Sequence, residues 1–571
     1  MHKELTGATG RAPTAALAGS IVIETAAGSR IESWFAGLTA WARRGVAFLA
    51  GALATLGHAP FQLTLLYVFA LAVLLWLLDV SATKPRKSRS AFVIGWFFAL
   101  GHFATGLYWI SSAFNVDSDA WGPMWGIPAT LALAGGLALF WGVGAAAAMV
   151  FWTRDVRRAA VFAVCFFIAE WLRGNILTGF PWLLPGYVWT PGEPISQIAS
   201  IIGIYGLSLI TLLAGGALAV VADGRSSQAQ RFGPAIAMAL AFGMIWGWGA
   251  QRLARAPVDP PGALPLVRVA DSGLSQAEKW RYSPDQEWRV LARYLAVSGP
   301  AEDSRESVVI WPEGAIPTLN FFMLDNPQFM SAIGRGMGDR VLVAGFTRCE
   351  PRPACDALWR GDGDASHLRL YNSAAVIDGV SGVPRLSQIY DKHHLVPFGE
   401  YIPFWSLVSQ LNIAPLQRIG AGFVAGPRPT RLVVPDAPPA VILVCYEAIF
   451  PGLTPHGDER PGWIINVTND AWFGNGTGPH QHFAMARYRA IEEGLPLARA
   501  ASGGISAIVD AEGRVMRSTQ NGGSVTVQLP PALGETPYVT LGNWLLLALL
   551  LSITALRLAP ASAAGPRKQP R

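Results

Sequence analysis

A thiol, a carboxylate and an ammonium stand in this chain at one kind of place, just past the end of a short apolar run. Cys445 follows the aliphatic run 441–444 and is itself followed by Tyr446 and Glu447. Glu313 follows the run 307–310 through Trp311 and Pro312, and Lys392 follows the run 386–389 through Tyr390 and Asp391. Together the three types can divide one reaction. A cysteine at its ordinary pKa is only slightly ionised near neutrality, so its attack on an ester or amide needs a proton acceptor, and Glu313 can be that acceptor. The attack creates a tetrahedral oxyanion, for which the Lys392 ammonium and the backbone N–H following the nucleophile are suitable donors. Each residue also has a duller reading: a cysteine packed as core, a strand-end glutamate in a surface ion pair, a solvated loop lysine. His393 and His394 offer a second base, in a Cys–His arrangement. No Gly-x-Ser-x-Gly elbow, zinc motif or phosphate loop occurs, so neither a metal nor a cofactor is expected.

The elements that would hold these groups are short and β-rich. An unbroken aliphatic run such as 441–444 reads as a strand covered on both faces, and in such sheets chemistry gathers beyond the strand ends. Similar runs occur at 266–270, 308–311, 341–344, 374–377, 463–467, 505–509 and 525–529, with helical patterns at 284–297 and 480–493. This alternation predicts an α/β domain over about 260–535.

The rest of the chain belongs to another solvent. Of 571 residues, 51% are hydrophobic and only 14% charged, and the apolar ones crowd the first 250 positions and a stretch near the end. Seven membrane spans are expected near 45–58, 61–79, 91–113, 123–152, 158–177, 195–221 and 232–250, and an eighth at 541–556. The resulting division is a cytoplasmic lead-in at 1–40, a bundle at 41–255, the α/β domain at 256–537, a returning span at 538–558 and a basic tail at 559–571. Basic residues fall in every second loop (Arg43 and Arg44, the cluster 84–89, Arg154 with Arg157 and Arg158, Arg225 with Arg231), which places those loops in the cytoplasm and the α/β domain outside. Arg252 and Arg255 lie on the wrong side of that pattern. The net charge of +6 is explained by topology, and no long basic face suggests nucleic acid.

Three further features stay open at this level. Glu170 and Arg173, three apart in an outward loop at membrane depth, are either an internal pair or part of a lipid-access site. Cys349 and Cys355 flank a five-residue polar stretch and either form a small disulfide or remain free thiols. Aromatics at 321–322 and 398–405 read as loops that could dip into lipid.

The motifs at 311–313, 390–403 and 445–447 resemble the Glu-Lys-Cys signature of the nitrilase (carbon-nitrogen hydrolase) superfamily. Set between seven spans and a final one, they are similar to the apolipoprotein N-acyltransferase family, as are the stretches 170–187, Lys279-Trp280, 466–474, 478–482 and 487–492. The resemblance implies a polytopic helical bundle carrying an extracytoplasmic αββα nitrilase-like domain. It also implies a bacterial inner-membrane enzyme with two partners, a phospholipid acyl donor and a diacylglyceryl apolipoprotein acceptor. In that scheme Glu313, Lys392 and Cys445 are catalytic, Glu400, Tyr446 and Glu447 support them, and Trp280 and Trp472 line the substrate path. The acyl chain passes through a Cys445 thioester in a ping-pong sequence. A tethered amidase and a non-enzymatic transporter or scaffold are the competing readings. Two stretches depart from the family pattern: Asp271-Ser272-Gly273, where a Gln-Gly-Asn stretch is usual, and 501–504, where a Thr-Asn-containing segment is usual.

Overall fold

Long runs without charge leave a backbone in lipid one economical solution, the helix, whose hydrogen bonds are all internal. The computed structural model describes residues 30–116, 122–224, 226–257, 264–279, 284–300, 306–319, 324, 326–360, 368–378, 384–411 and 422–558. Four of its helices are long and apolar enough to cross a membrane: Thr64–Ala82, Pro123–Phe151, Pro194–Val220 and Gln228–Arg255. The pair Lys87–Gly106 and Ile110–Val116, bent by 41°, makes a fifth if it counts as one span. The eight expected spans are therefore not reached on length and apolarity alone. Helices Ala40–Ala54 and Trp544–Leu558 have 15 residues each, and Arg158–Asn175 carries Arg158, Glu170 and Arg173. The expected irregular lead-in gives way at Arg30–Gly37 to a helix whose Phe35 is buried near Trp76. Residues 1–29 and the basic tail lie outside the described residues.

Small residues let the bundle close tightly. A Cβ on Gly51 would lie 1.8 Å from the Phe98 carbonyl oxygen, and one on Gly101 2.0 Å from that of Phe48, so helices 40–54 and 87–106 touch backbone to backbone. Charges inside the bundle are matched. Arg158 holds Asp79 and Asp223, each at 2.9 Å. Arg173 reaches Glu170 at 2.5 Å with both side chains fully buried, Trp141 donates to the same carboxylate, and Arg173 also donates to the Phe180 carbonyl. Glu170 and Arg173 are thus an internal pair.

Among the described residues the outer part has twelve strands: β1 Leu266–Asp271, β2 Glu306–Ile310, β3 Ile316–Leu319, β4 Val341–Glu350, β5 Arg369–Asp378, β6 Arg385–Asp391, β7 Ala440–Val444, β8 Trp463–Asn469, β9 Leu497–Ser502, β10 Ile505–Val509, β11 Val515–Gln520 and β12 Gly523–Gln528. One sheet has the order β12-β1-β2-β4-β5-β6, with β3 on β4; the other runs β11-β10-β9-β8-β7. β1, β2 and β4 are mutually parallel, as are β7, β8 and β9. Alternate residues of the two sheets, among them Val269, Ile310 and Val343 against Ile442, Ile465 and Ile508, meet in one apolar layer. Helices Pro284–Ser298 and Pro327–Met337 cover the other side of the first sheet. Helix Gly478–Glu493 covers that of the second through Phe483, Ala486 and Ala490, while its opposite flank, Met485, Tyr488 and Ile491, is part of the membrane-bundle core. The expected runs at 266–270, 341–344, 374–377, 441–444, 463–467 and 505–509 are strands throughout, and those at 308–311 and 525–529 are strands except for their last residues, Trp311 and Leu529. β3, β9 and β11 are additional: β9 (LARAAS) has no β-branched residue, and β11 is largely exposed, so neither shows a run or clean alternation.

Candidate active site

The parallel strands of both sheets bring their carboxyl ends to one edge, and the three reactive groups gather there. At the end of β7 the backbone turns sharply: Cys445 has φ of 49°, a left-handed conformation that non-glycine residues adopt at a cost of about 1–3 kcal/mol when the surroundings hold them. A short 3₁₀ turn, Cys445–Ile449, follows. Glu447 in that turn fixes it. One carboxylate oxygen accepts the Val444 N–H at 2.7 Å, and the other accepts the Tyr390 hydroxyl at 2.7 Å and the backbone N–H groups of His393 and His394 at 2.8 and 3.1 Å. A single buried side chain therefore ties the nucleophile turn to the segment that carries Lys392.

Lys392 is buried, and its Nζ lies 2.9 Å from Glu400 Oε1 and 3.9 Å from Glu313 Oε1. Asn372, on β5, donates through Nδ2 to both carboxylates at 2.6 Å. The other oxygen of Glu400 accepts the Val396 N–H at 2.8 Å. Glu313 Oε2 is buried and has no hydrogen-bond partner of good geometry among the described residues. The Cys445 thiol is a hydrogen-bonding neighbour of the Glu313 carboxylate.

Burial works to lower the Lys392 pKa, but Glu400 and then Glu313 outweigh it, and the net direction is upward: the ammonium stays charged. Burial raises the Glu313 carboxyl above the usual range, opposed by Lys392. Burial, and then the Glu313 carboxylate, raise the Cys445 thiol. Cys445 is accordingly a neutral thiol hydrogen-bonded to the Glu313 carboxylate, an arrangement that could pass a proton during attack rather than hold a standing thiolate.

Behind Cys445 lies a chain of polar groups. His482 Nε2 is 3.1 Å from the Cys445 carbonyl oxygen, and Nδ1 is 2.8 Å from Asp470 Oδ1. Asp470 Oδ2 accepts from Arg499 Nη2 at 2.6 Å, Arg499 also reaches Asn466 Oδ1, and Asn466 Nδ2 donates to the Leu443 carbonyl at 2.8 Å. Burial would raise the Asp470 carboxyl, but Arg499 and His482 hold it below its ordinary value.

The site abuts the membrane bundle. The Tyr446 hydroxyl donates to the Gly179 carbonyl at 3.1 Å, and its ring faces Phe180. Of the two alternative bases, His393 turns its Nδ1 to the Gly426 carbonyl at 2.9 Å; His394 turns its Nε2 to that of Thr178 at 2.8 Å and stacks on Phe450. Their rings are engaged away from the thiol. Trp472 sits half-buried in the turn Asp470–Phe473 after β8. Trp280 and the aromatics at 321–322 lie outside the described residues, while Phe398 and Phe404 are exposed. The two departures from the family pattern meet: Lys279 Nζ is 2.5 Å from Ser502 Oγ, and Asp271, fully buried at the end of β1, is near both. Asn372 and the set Asp470, His482 and Arg499 receive no role from composition or spacing. The available signal for Asn372 is weak, since its strand also carries Arg369, Ser373 and Asp378.

Residues 50–217 match the apolipoprotein N-acyltransferase N-terminal domain family, and residues 268–538 match the carbon-nitrogen hydrolase family. The chain is 37% identical over 547 residues to the apolipoprotein N-acyltransferase of Rhodopseudomonas palustris, with 93% of this chain and 98% of that relative covered. It is 39% identical over 515 residues to that of Bradyrhizobium diazoefficiens, covering 88% and 92%. Among solved structures, a mutant of the Nesterenkonia AN1 amidase from the nitrilase superfamily aligns at 17% identity and a TM-score of 0.33, over 51% of this chain and 99% of that one.

Proposed function

The chain belongs to the apolipoprotein N-acyltransferase family, and on that premise we propose that it moves an acyl chain from a phospholipid to the α-amine of an apolipoprotein's diacylglyceryl-cysteine, the last step of bacterial lipoprotein maturation. Glu313 takes the Cys445 proton as the sulfur attacks the donor's ester carbonyl. The oxyanion is held by Lys392 and the Tyr446 backbone N–H. Its collapse releases lysophospholipid, whose alkoxide takes the proton from Glu313, and leaves an S-acyl thioester. In the second half the α-amine attacks the thioester, Glu313 removes its proton, an amide forms and the thiol is restored. Glu400 holds the lysine, Glu447 holds the two strand ends in register, and Trp280 and Trp472 line the acyl and headgroup path.

The observation that carries this reading is the Lys392 ammonium set between Glu313 and Glu400, with the Cys445 thiol hydrogen-bonded to Glu313. The proposed architecture has eight membrane passes: the five segments long and apolar enough to span, together with 40–57, 158–175 and 544–558. An αββα domain lies between the seventh and eighth, with unit boundaries at 40, 255, 537 and 558. The proposed location of that domain is the periplasmic face of the inner membrane. The charge asymmetry of the loops supports it, as does the Cys349–Cys355 disulfide, a bond suited to an oxidising compartment.

Intact mass of the full-length protein incubated with phospholipid tests the reading. Expected is one added acyl chain, absent from Cys445→Ala and discharged onto a diacylglyceryl peptide as an amide. Release of free fatty acid with no amide would replace acyl transfer by hydrolysis.

A further inference from the structure

Arg252 and Arg255 break the charge asymmetry of the loops, and acyl transfer gives them no role. They stand one turn apart in the last turn of helix 228–255. There, with Trp248, Gln251, Glu512 and Leu533, they line a cleft of about 280 Å³. The Arg252 guanidinium donates to Ser200 Oγ and lies near the buried Glu512 carboxylate. Arg255 is exposed, and among the described residues no carboxylate pairs with it. The flank of the helix below is apolar and exposed, with Ile236, Leu240 and Met244 uncovered. The cleft thus opens where a lipid-facing surface ends and the outer domain begins, the depth at which phospholipid phosphates and interfacial tryptophans sit.

The cleft is remote from the catalytic edge. Its outer wall is the turn after β10, and Val509 at the end of β10 pairs with Leu497 at the start of β9. Cys445 lies beyond the other end of that sheet, following Val444, whose row continues through Val467 to Ala500.

We propose that this cleft is a second phospholipid site, in which Arg252 and Arg255 grip the phosphate diester and Trp248 lies against the glycerol and upper acyl chains. Planar guanidiniums match phosphate oxygens in pairs, which gives geometry as well as charge. The exposed flank of the helix accommodates the chains, which favours a lipid over a soluble phosphate. The proposal rests on the membrane reading of this helix and not on the chemistry at Cys445.

The test is native mass spectrometry of delipidated full-length protein in detergent, in the Cys445→Ala background so that no lipid is consumed. The probes are dioleoylphosphatidylglycerol, dioleoylglycerol and inorganic phosphate. Expected is one phosphatidylglycerol fewer on Arg252→Gln/Arg255→Gln than on the parent, with about tenfold weaker retention for Arg255→Gln alone. Dioleoylglycerol binding should not change, and excess phosphate should not displace the lipid. Equal retention by all three proteins overturns the proposal, as does an equal loss of dioleoylglycerol, which would make the cleft a mere apolar groove. Displacement by phosphate would make it a soluble-anion site. With Cys445 intact, Arg255→Gln should still form the acyl adduct at the parental rate; failure there would move the arginine into the catalytic path and end the claim of a separate site.

Discussion

The membrane bundle and the outer edge of the sheets each bury charge, and they do so differently. In the bundle the ion pairs are saturated: Arg158 answers Asp79 and Asp223, with Trp152 donating to Asp79, and Arg173 answers both oxygens of Glu170, with Trp141 added. At the outer edge one ammonium serves two carboxylates, and among the described residues Glu313 Oε2 is buried without a geometric hydrogen-bond partner. An unpaired buried polar atom is destabilising, so its persistence points to work. The contrast separates charges that hold a structure from charges that, on the proposed mechanism, are kept ready to receive a proton.

That contrast can be broken or sharpened by substitution. The largest effect belongs to Glu313→Gln, which keeps the shape and removes the acceptor: adduct formation on Cys445, followed by intact mass against time, should slow by about 10²–10⁴-fold with little change in melting temperature. Lys392→Met should slow it by about 10²–10³-fold, the scale of one lost oxyanion donor. In the bundle the signature should invert. Arg173→Met strands Glu170 and should cost about 3–5 kcal/mol of stability, read by thermal unfolding in detergent, while the acylation rate per folded molecule stays near the parent's. The smallest and most diagnostic effect is in pH. Glu313 works only when ionised, so acylation should fail as pH drops through its pKa, which burial sets above the ordinary glutamate range. Asn372 favours the ionised form. Asn372→Ala should therefore push the acid limb of the rate profile to higher pH, and an unmoved limb would remove Glu313 from the role of base.

How much of this was legible follows from how local each feature is. Cys445, Glu313 and Lys392 each end a readable apolar run, so their placement at strand tips could be anticipated; that the tips share one edge depends on strand order, which no run reveals. Asn372 joins Glu313 to Glu400 only because β2 and β5 flank β4 in one sheet. Glu447 follows the nucleophile by two residues, yet its contacts with Tyr390, His393 and His394 are tertiary. The helix 158–175 divides the same way: the Glu170–Arg173 pair can be read from its spacing, whereas the Arg158 partners, Asp79 and Asp223, come from distant segments and show only in the packed bundle.

Helix 478–493 is a party wall. On the bundle side its Tyr488 hydroxyl donates to the Trp189 carbonyl at 2.7 Å, and Glu492 accepts the Ile204 N–H beside the kink at Gly203. On the sheet side its His482 reaches the carbonyl of the nucleophile. A soluble version cut near residue 256 would turn Met485, Tyr488 and Ile491 out to water and leave Glu492 without its backbone donor. The outer half is for this reason no detachable head on a stalk. It is held against the helical bundle by the same helix whose His482 meets the Cys445 carbonyl, and on the proposed function both substrates would come to it at that fixed angle.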